Sequence, residues 1–100
     1  MEITIVWQKP IQLTKHKKII VDEDDLPETL EARPGVYFFS RKYAKISVPF
    51  YIGESKNLRT RLRQHLGTTR IADVLRSLSV TDEKIKKGVR YFHFGYLTCH

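Results

Sequence analysis

Apolar and polar residues alternate along the first third of the chain, which predicts short strands there. In EITIVW (2–7), isoleucine and tryptophan fall on one side of a two-residue period. The other short candidates are IQL (11–13) and KIIV (18–21). An acidic run follows at 22–25, and contiguous carboxylates of this kind are typical of a solvated turn rather than of a metal site. These segments predict an N-terminal extension built from short strands.

Stronger patterns follow the turn signal Pro34-Gly35. The strands expected there are VYFFS (36–40), FYIG (50–53) and VRYFHFGYL (89–97). Segment 41–49 is expected to be a loop or a frayed hairpin, and 82–88 a loop. One helix is expected after Gly53, with Ser55 as its N-cap. A second helix is expected from about Thr69, with Ile71, Val74, Leu75 and Leu78 at helical spacing.

The order ββααβ from residue 36 predicts an α+β fold. We expect a small, mostly antiparallel three-stranded sheet flanked by helices. Residues 1–33 would form an N-terminal β extension of this sheet, and residues 34–100 would form the main domain.

Basic residues crowd the first expected helix, within FYIGESKNLRTRLRQHL (50–66). On a helical wheel the buried stripe is Leu58, Leu62 and Leu66. Two basic pairs flank that stripe, Arg59 with Arg63 and Arg61 with His65. Stacked arginines repel unless an anion lies near them, and phosphate suits the guanidinium group. The Arg59 pair is typical of arginine stems that cover apolar surface, whereas the Arg61 pair is the better candidate for chemistry.

Charge is distributed unevenly along the 100 residues, whose net charge is +7. Residues 1–35 carry five Lys and Arg against seven Asp and Glu, whereas residues 36–100 carry thirteen against four. A basic block on a folded region is typical of a polyanion partner, most often nucleic acid. The sequence therefore indicates a nucleic-acid partner for the second part of the chain.

Several classes of protein are disfavoured by the composition. A single cysteine, Cys99, excludes an intramolecular disulfide and a cysteine-rich zinc module. The N-terminus lacks the basic and apolar regions of a signal peptide, and no window is long enough for a membrane span. We therefore expect a soluble, cytoplasmic protein with no membrane partner.

Two tyrosines can share one face of the expected hairpin. Tyr37 in the first strand and Tyr51 in the second would present neighbouring phenols, with Gly53 leaving space beside them. Strand tyrosines usually serve packing, so spacing alone favours a structural role.

Three segments in order resemble the GIY-YIG nuclease family: GVY (35–37), YIG (51–53) and N-L-x-x-R (57–61). The sequence is especially similar to the N-terminal incision domain of the bacterial nucleotide-excision-repair endonucleases. The resemblance covers residues 34–66 closely and extends more loosely to residue 97. It implies a metal-dependent endonuclease that hydrolyses DNA phosphodiester bonds with an activated water, as in DNA repair.

The resemblance also implies roles for individual residues. Tyr37 and Tyr51 are expected to orient or deprotonate the attacking water. Arg61 is expected to contact the scissile phosphate, and His65 to lie near the active site. The expected substrate-binding residues are Gly53, Lys56, Asn57 and Arg59.

The implied cofactor is Mg²⁺ or Mn²⁺, but its ligand is not identified. Family members hold the metal with a glutamate on a helix after the third strand. None of the acids after residue 35 matches it; they are Glu54, Asp73, Asp82 and Glu83. We favour a fragment truncated before its last helix, which would be inactive alone. The alternatives are a catalytically inactive nucleic-acid-binding module of the same fold and a basic protein-interaction domain.

Overall fold

The computed structural model describes residues 2–15, 18–75 and 88–99. The strands are β1 (Ile3–Trp7), β2 (Ile11–Gln12), β3 (Thr14–Lys15), β4 (Lys18–Ile19), β5 (Gly35–Tyr43), β6 (Ile46–Ser55) and β7 (Val89–Cys99). The helices are α1 (Leu58–Gly67) and α2 (Thr69–Leu75). The expected continuation of the second helix to Leu78 and the expected loop at 82–87 lie outside the described residues.

A five-stranded antiparallel sheet dominates the fold. Its strand order is β1-β7-β5-β6, with β2 also paired to β7, while β3 and β4 form a separate two-stranded sheet. The expectation of a three-stranded sheet flanked by helices is therefore wrong. The reason lies in β7, which is longer than the predicted strand 89–97. Its outer edge pairs with β1 along residues 95–99 and with β2 at residues 91–92.

The core lies on one face of the sheet. Alternate residues of β7 point into it, and they are Arg90, Phe92, Phe94 and Tyr96. Both described helices cover this face, through Leu58 and Leu62 of α1 and Ile71 and Leu75 of α2. The segment before β5 completes the cover with Leu13, Leu26 and Leu30. The N-terminal residues thus contribute both strands and core side chains.

Segment 41–49 forms the paired end and the turn of a hairpin between β5 and β6. Its turn contains Ala44, which has a φ of 55°. The register shifts by one residue, from Phe39 opposite Tyr51 to Ser40 opposite Pro49. The extra residue is Phe50, which contacts the ring of Phe39 from the same face as Tyr51. This bulge places two consecutive aromatic side chains of β6 on the core face.

The opposite face of the sheet carries exposed apolar side chains. Trp7 contacts the ring of Phe38 edge-on, and Phe38 stacks on His93 with ring centroids 4.2 Å apart. His93 Nε2 is also 2.8 Å from Ser40 Oγ. None of the helices that the structure describes covers this face, and none is long and apolar enough to cross a membrane.

Candidate active site

Tyr37 and His65 form a buried hydrogen-bonded pair. Tyr37 lies in β5, the central strand that pairs with both β6 and β7, and only 2% of its surface is exposed. His65 lies on the inner side of α1 and is also buried. The Tyr37 Oη and His65 Nε2 atoms are 2.8 Å apart. The sheet and the helix together therefore fix the position of the phenol.

Tyr51 stands beside this pair at the surface. Its ring stacks on Tyr37 with a centroid separation of 6.1 Å and meets the His65 ring at 5.0 Å. Tyr51 is 39% exposed, in contrast to Tyr37. The prediction that the two tyrosines share a face is confirmed, and the structure adds that one phenol is buried while the other reaches solvent.

The environment keeps both partners of the buried pair neutral. Burial raises the pKa of Tyr37 to about 12, with help from the neighbouring Tyr51, while the charge of Arg61 acts in the opposite direction. Burial and the charge of Arg61 lower the pKa of His65. Near neutral pH a protonated phenol therefore faces an uncharged imidazole, which has the capacity to accept a proton.

Arg61 is the exposed cation of the cluster. It lies one turn before His65 on α1, and its backbone N–H donates to the Asn57 carbonyl within the first turn. Its charge acts on both Tyr37 and His65, so the guanidinium lies within electrostatic reach of the pair. The structure therefore brings together all four residues expected to be catalytic: Tyr37, Tyr51, Arg61 and His65.

The start of α1 is fixed by two short polar side chains. Asn57, and not Ser55, is the N-cap: its Oδ1 accepts a hydrogen bond from the Thr60 N–H at 3.0 Å. The Ser55 hydroxyl accepts from the Asn57 N–H and donates to the Asn57 carbonyl. Ser55 was a wrong choice because β6 runs two residues beyond the expected strand end at Gly53, which moves the cap along the chain.

Both glycines of the two motifs occupy tight positions. A Cβ on Gly53 would lie 2.6 Å from the Tyr37 Oη, and a Cβ on Gly35 would meet the Gly95 carbonyl oxygen and lie 2.5 Å from Leu58 Cδ1. The space beside Gly53 thus accommodates the phenol, while Gly35 allows α1 to approach the sheet closely.

Arg59 and Arg63 bind backbone carbonyls. The Arg59 guanidinium donates to the carbonyls of Pro27 and Leu30 at 2.8 Å each and to that of Leu26 at 3.0 Å. Arg63 Nε donates to the Glu23 carbonyl at 3.2 Å. Both side chains tie α1 to the segment before β5 through their guanidinium groups, a role that the expected covering of apolar surface by their stems did not include. The expected contact of Arg59 with substrate stays a prediction.

A cleft of about 610 Å³ opens on the other side of Arg61, at the junction of β6 and α1. Its lining includes Lys56, Asn57, Thr60, Gln64 and Glu54. Lys56 was expected to bind substrate, whereas Thr60 and Gln64, which line the cleft with it, were not among the expected site residues. Their i, i+4 spacing next to Arg61 was the signal that all three share one surface with that arginine.

The described residues offer few ligands for a metal ion. Within the three described ranges, no group of three His, Cys, Asp or Glu side chains is arranged to hold a metal ion. The acidic run at 22–25 forms an exposed turn in which the Asp24 N–H donates to the Asp22 carboxylate, as predicted. Among the residues that line the cleft, Glu54 carries a carboxylate. Mg²⁺ in phosphoryl-transfer sites binds through one or two carboxylates plus substrate phosphates, so Glu54 is the residue of the cleft that would hold such a cation.

Comparison with known proteins gives a partial sequence relationship. No protein-family model and no solved structure matches the chain. In an alignment of 67 positions that covers 60% of its length, the chain is 40% identical to UvrABC system protein C of Deinococcus radiodurans. The match covers 10% of that protein, so the chain spans about a tenth of this relative's length. The chain is thus similar to one part of UvrABC system protein C, which supports its resemblance to excision-repair endonucleases at that coarse level.

Proposed function

We propose that the chain is a nuclease module that hydrolyses DNA phosphodiester bonds. The observation that carries this proposal is the buried Tyr37–His65 hydrogen bond beside the exposed Tyr51 and Arg61. A neutral proton acceptor is hydrogen-bonded to the buried phenol, and the charge of the exposed Arg61 acts on both groups. This is the combination required to activate water next to a phosphate.

The proton acceptor of the reaction is the tyrosine–histidine pair. The water oxygen bonds to phosphorus while one phosphorus–oxygen ester bond breaks, and the leaving oxygen takes a proton from solvent. Exposed Tyr51 orients the water. The proton that the water loses passes through the phenols to Tyr37, which transfers its own proton to His65 Nε2. The lowered pKa of His65 keeps it unprotonated before each cycle.

Arg61 stabilises the negative charge that builds on the phosphate. Its guanidinium is exposed, and a planar guanidinium binds phosphate oxygens in a bidentate manner. Lys56 and the cleft beyond Arg61 extend the basic surface along which the DNA backbone would lie. A bound Mg²⁺ or Mn²⁺ would neutralise phosphate charge there, with Glu54 as the carboxylate available in the cleft.

DNA is the proposed polyanion for two reasons. Residues 36–100 carry thirteen basic against four acidic residues, and these residues contain the candidate site. The partial similarity to UvrABC system protein C supports a role related to DNA repair. Non-specific contacts of Lys and Arg with phosphates predict binding that weakens steeply with salt.

The proposal is tested by nicking of supercoiled plasmid in the presence of Mg²⁺ or Mn²⁺. Wild-type chain is expected to nick the plasmid, in contrast to the inactivity expected from the sequence, because Glu54 offers a carboxylate in the cleft. Arg61→Ala is expected to lose the activity, and Glu54→Gln to require more metal. Arg63→Ala is the matched control because its side chain lies on the same helix but binds the Glu23 carbonyl. Full nicking by Arg61→Ala would contradict the mechanism. Salt-dependent DNA binding without any cleavage would assign the chain to the second candidate, a binding module of the same fold.

A further inference from the structure

The outer edge of β1 is unpaired among the residues that the structure describes. β1 ends the strand order of the main sheet, and the Gln8 N–H donates to the Phe94 carbonyl at 3.0 Å. In an antiparallel pair, residues that bond the partner strand alternate with residues that face away. The β1 residues that lie an even number of positions from Gln8 therefore form backbone hydrogen bonds with β7. The backbone N–H and C=O groups of Ile3, Ile5 and Trp7 point outwards.

This edge lacks the features that normally protect an edge strand. Ile3, Ile5 and Trp7 are 64%, 41% and 52% exposed, and Val6 adds an exposed apolar side chain on the other face. The segment ITIVW contains no charge and no proline, and its pairing with β7 has no bulge. Edge strands usually carry charge, proline or a bulge, because an apolar edge pairs readily with another strand.

We infer that β1 pairs antiparallel with β1 of a second copy of this chain, about a two-fold axis at Ile5. In this register Ile5 lies opposite Ile5 of the second copy, and Ile3 lies opposite its Trp7. Ile3, Ile5 and Trp7 of one copy then lie opposite residues of the second copy whose backbone N–H and C=O groups also point outwards. A two-fold interface requires such a self-complementary surface. The pairing joins the two sheets into one continuous sheet.

The charges at the ends of β1 favour this antiparallel arrangement. Glu2 precedes the strand and Lys9 follows it, while the strand itself is uncharged. Antiparallel pairing brings Glu2 of each copy to the end that carries Lys9 of the other. Parallel pairing would instead place like charges together.

The same pairing also buries part of the apolar face of the sheet. Ile3, Ile5 and Trp7 lie on the face opposite the core, since Trp7 contacts Phe38 there. In the dimer each Ile3 packs beside the second copy's Trp7 as a cross-strand pair, which is a stabilising combination. The candidate active site stays accessible, because β6 lies at the opposite edge of the sheet from β1. The inference is thus independent of the proposed nuclease function.

The test is the mass of the purified chain in solution, measured by sedimentation equilibrium without DNA. Wild-type chain is expected at twice the monomer mass of 11.8 kDa, falling towards 11.8 kDa on dilution. Ile5→Lys places two like charges at the two-fold axis, so its mass is expected at 11.8 kDa with an unchanged circular dichroism spectrum. Ile52→Lys is the matched control: Ile52 is 76% exposed on the same face of the sheet but lies in β6. Its mass is expected to equal that of wild type.

Two further readouts separate edge pairing from other contacts. Glu2→Lys and Lys9→Glu are each expected to weaken the dimer, and the double variant to restore it. Amide exchange at Ile3, Ile5 and Trp7 is expected to be slow in wild type and fast in Ile5→Lys. A wild-type monomer at every concentration would overturn the inference. A dimer that Ile52→Lys dissociates, or one that Ile5→Lys leaves intact, would also overturn it.

Discussion

Gly53 lies opposite Tyr37 in the β5–β6 pair, and a Cβ built on Gly53 would lie 2.6 Å from the Tyr37 Oη. No glycine in the described ranges has a positive φ, so the requirement for glycine here arises from space and not from backbone conformation. The space beside Gly53 therefore fixes where the phenol lies. The phenol in turn makes the hydrogen bond to His65.

Gly53→Ala is expected to abolish DNA cleavage while leaving DNA binding within about twofold, since it displaces the Tyr37 phenol and leaves Arg61 exposed. The added methyl group lies against a buried ring, so the free energy of unfolding is expected to fall by about 1–3 kcal/mol. Plasmid nicking, DNA titration and urea unfolding measure the three effects.

Gly67→Ala is the control for this substitution. A Cβ there would meet only the carboxylate end of the flexible Glu23 side chain, at 2.7 Å. Cleavage is expected to be unchanged. Equal activity in the two alanine variants would contradict the role assigned to the space beside Gly53.

Removing the two tyrosine hydroxyls one at a time is expected to distinguish an effect on folding stability from an effect on DNA cleavage. Tyr37→Phe leaves the buried His65 Nε2 without its partner, so we expect a loss of about 1–3 kcal/mol in unfolding free energy together with loss of cleavage. Tyr51 is exposed, so Tyr51→Phe is expected to change stability by less than about 0.5 kcal/mol yet still reduce cleavage. Urea unfolding and plasmid nicking measure both variants. Full cleavage by Tyr51→Phe would remove this tyrosine from the proposed mechanism.

The strands around the candidate site could be predicted from the sequence because their patterns are local. Aromatic residues are concentrated in 36–40 and 89–97, and the structure has strands at both segments. The shared face of Tyr37 and Tyr51 follows from the two-residue period of a hairpin. The bulge at Phe50 was not predictable, because apolar residues at 50–52 fit either register.

The full sheet could not be predicted, because the pairing of strands that are far apart in the sequence is not visible in the local residue pattern. The strand at Ile11 and Gln12 lies within the predicted segment 11–13, but nothing in its local pattern indicates that it pairs with β7 at Phe92. The three carbonyls that bind Arg59 come from a turn about thirty residues earlier in the chain. The helical wheel placed Arg59 on the correct shoulder of α1 but could not identify that partner.

Histidine ionisation is expected to make the fold less stable in mild acid. Burial lowers the pKa of both His65 and His93 from the ordinary value of 6.5. Below pH 6.5 the unfolded chain therefore binds more protons at these positions than the folded chain. The free energy of unfolding is expected to fall as the pH drops through this range, and to level off once both folded pKa values are passed.

Urea unfolding between about pH 7 and pH 5 measures this dependence. The double variant His65→Gln/His93→Gln is expected to show a shallower slope, and each single variant an intermediate slope. Cleavage by the wild type is expected to decline over the same acidic range, because protonated His65 no longer accepts a proton. An unchanged slope in the double variant would show that other groups govern the acid sensitivity.

Arg59 is expected to matter more for stability than the neighbouring arginines. Its guanidinium makes three hydrogen bonds to carbonyls of the segment before β5, and this segment carries the buried Leu26 and Leu30. Arg59→Ala removes these three charge-assisted bonds, although the Pro27 carbonyl keeps the Leu30 N–H as a donor. The substitution also frees the segment from α1, so a loss of about 3 kcal/mol in unfolding free energy is expected. Arg63→Ala removes one exposed hydrogen bond and is expected to cost less than about 0.5 kcal/mol. Urea unfolding compares the two, and DNA titration of the milder Arg59→Lys tests whether this arginine also contacts substrate. A stability loss no larger than that of Arg63→Ala would contradict the anchoring role.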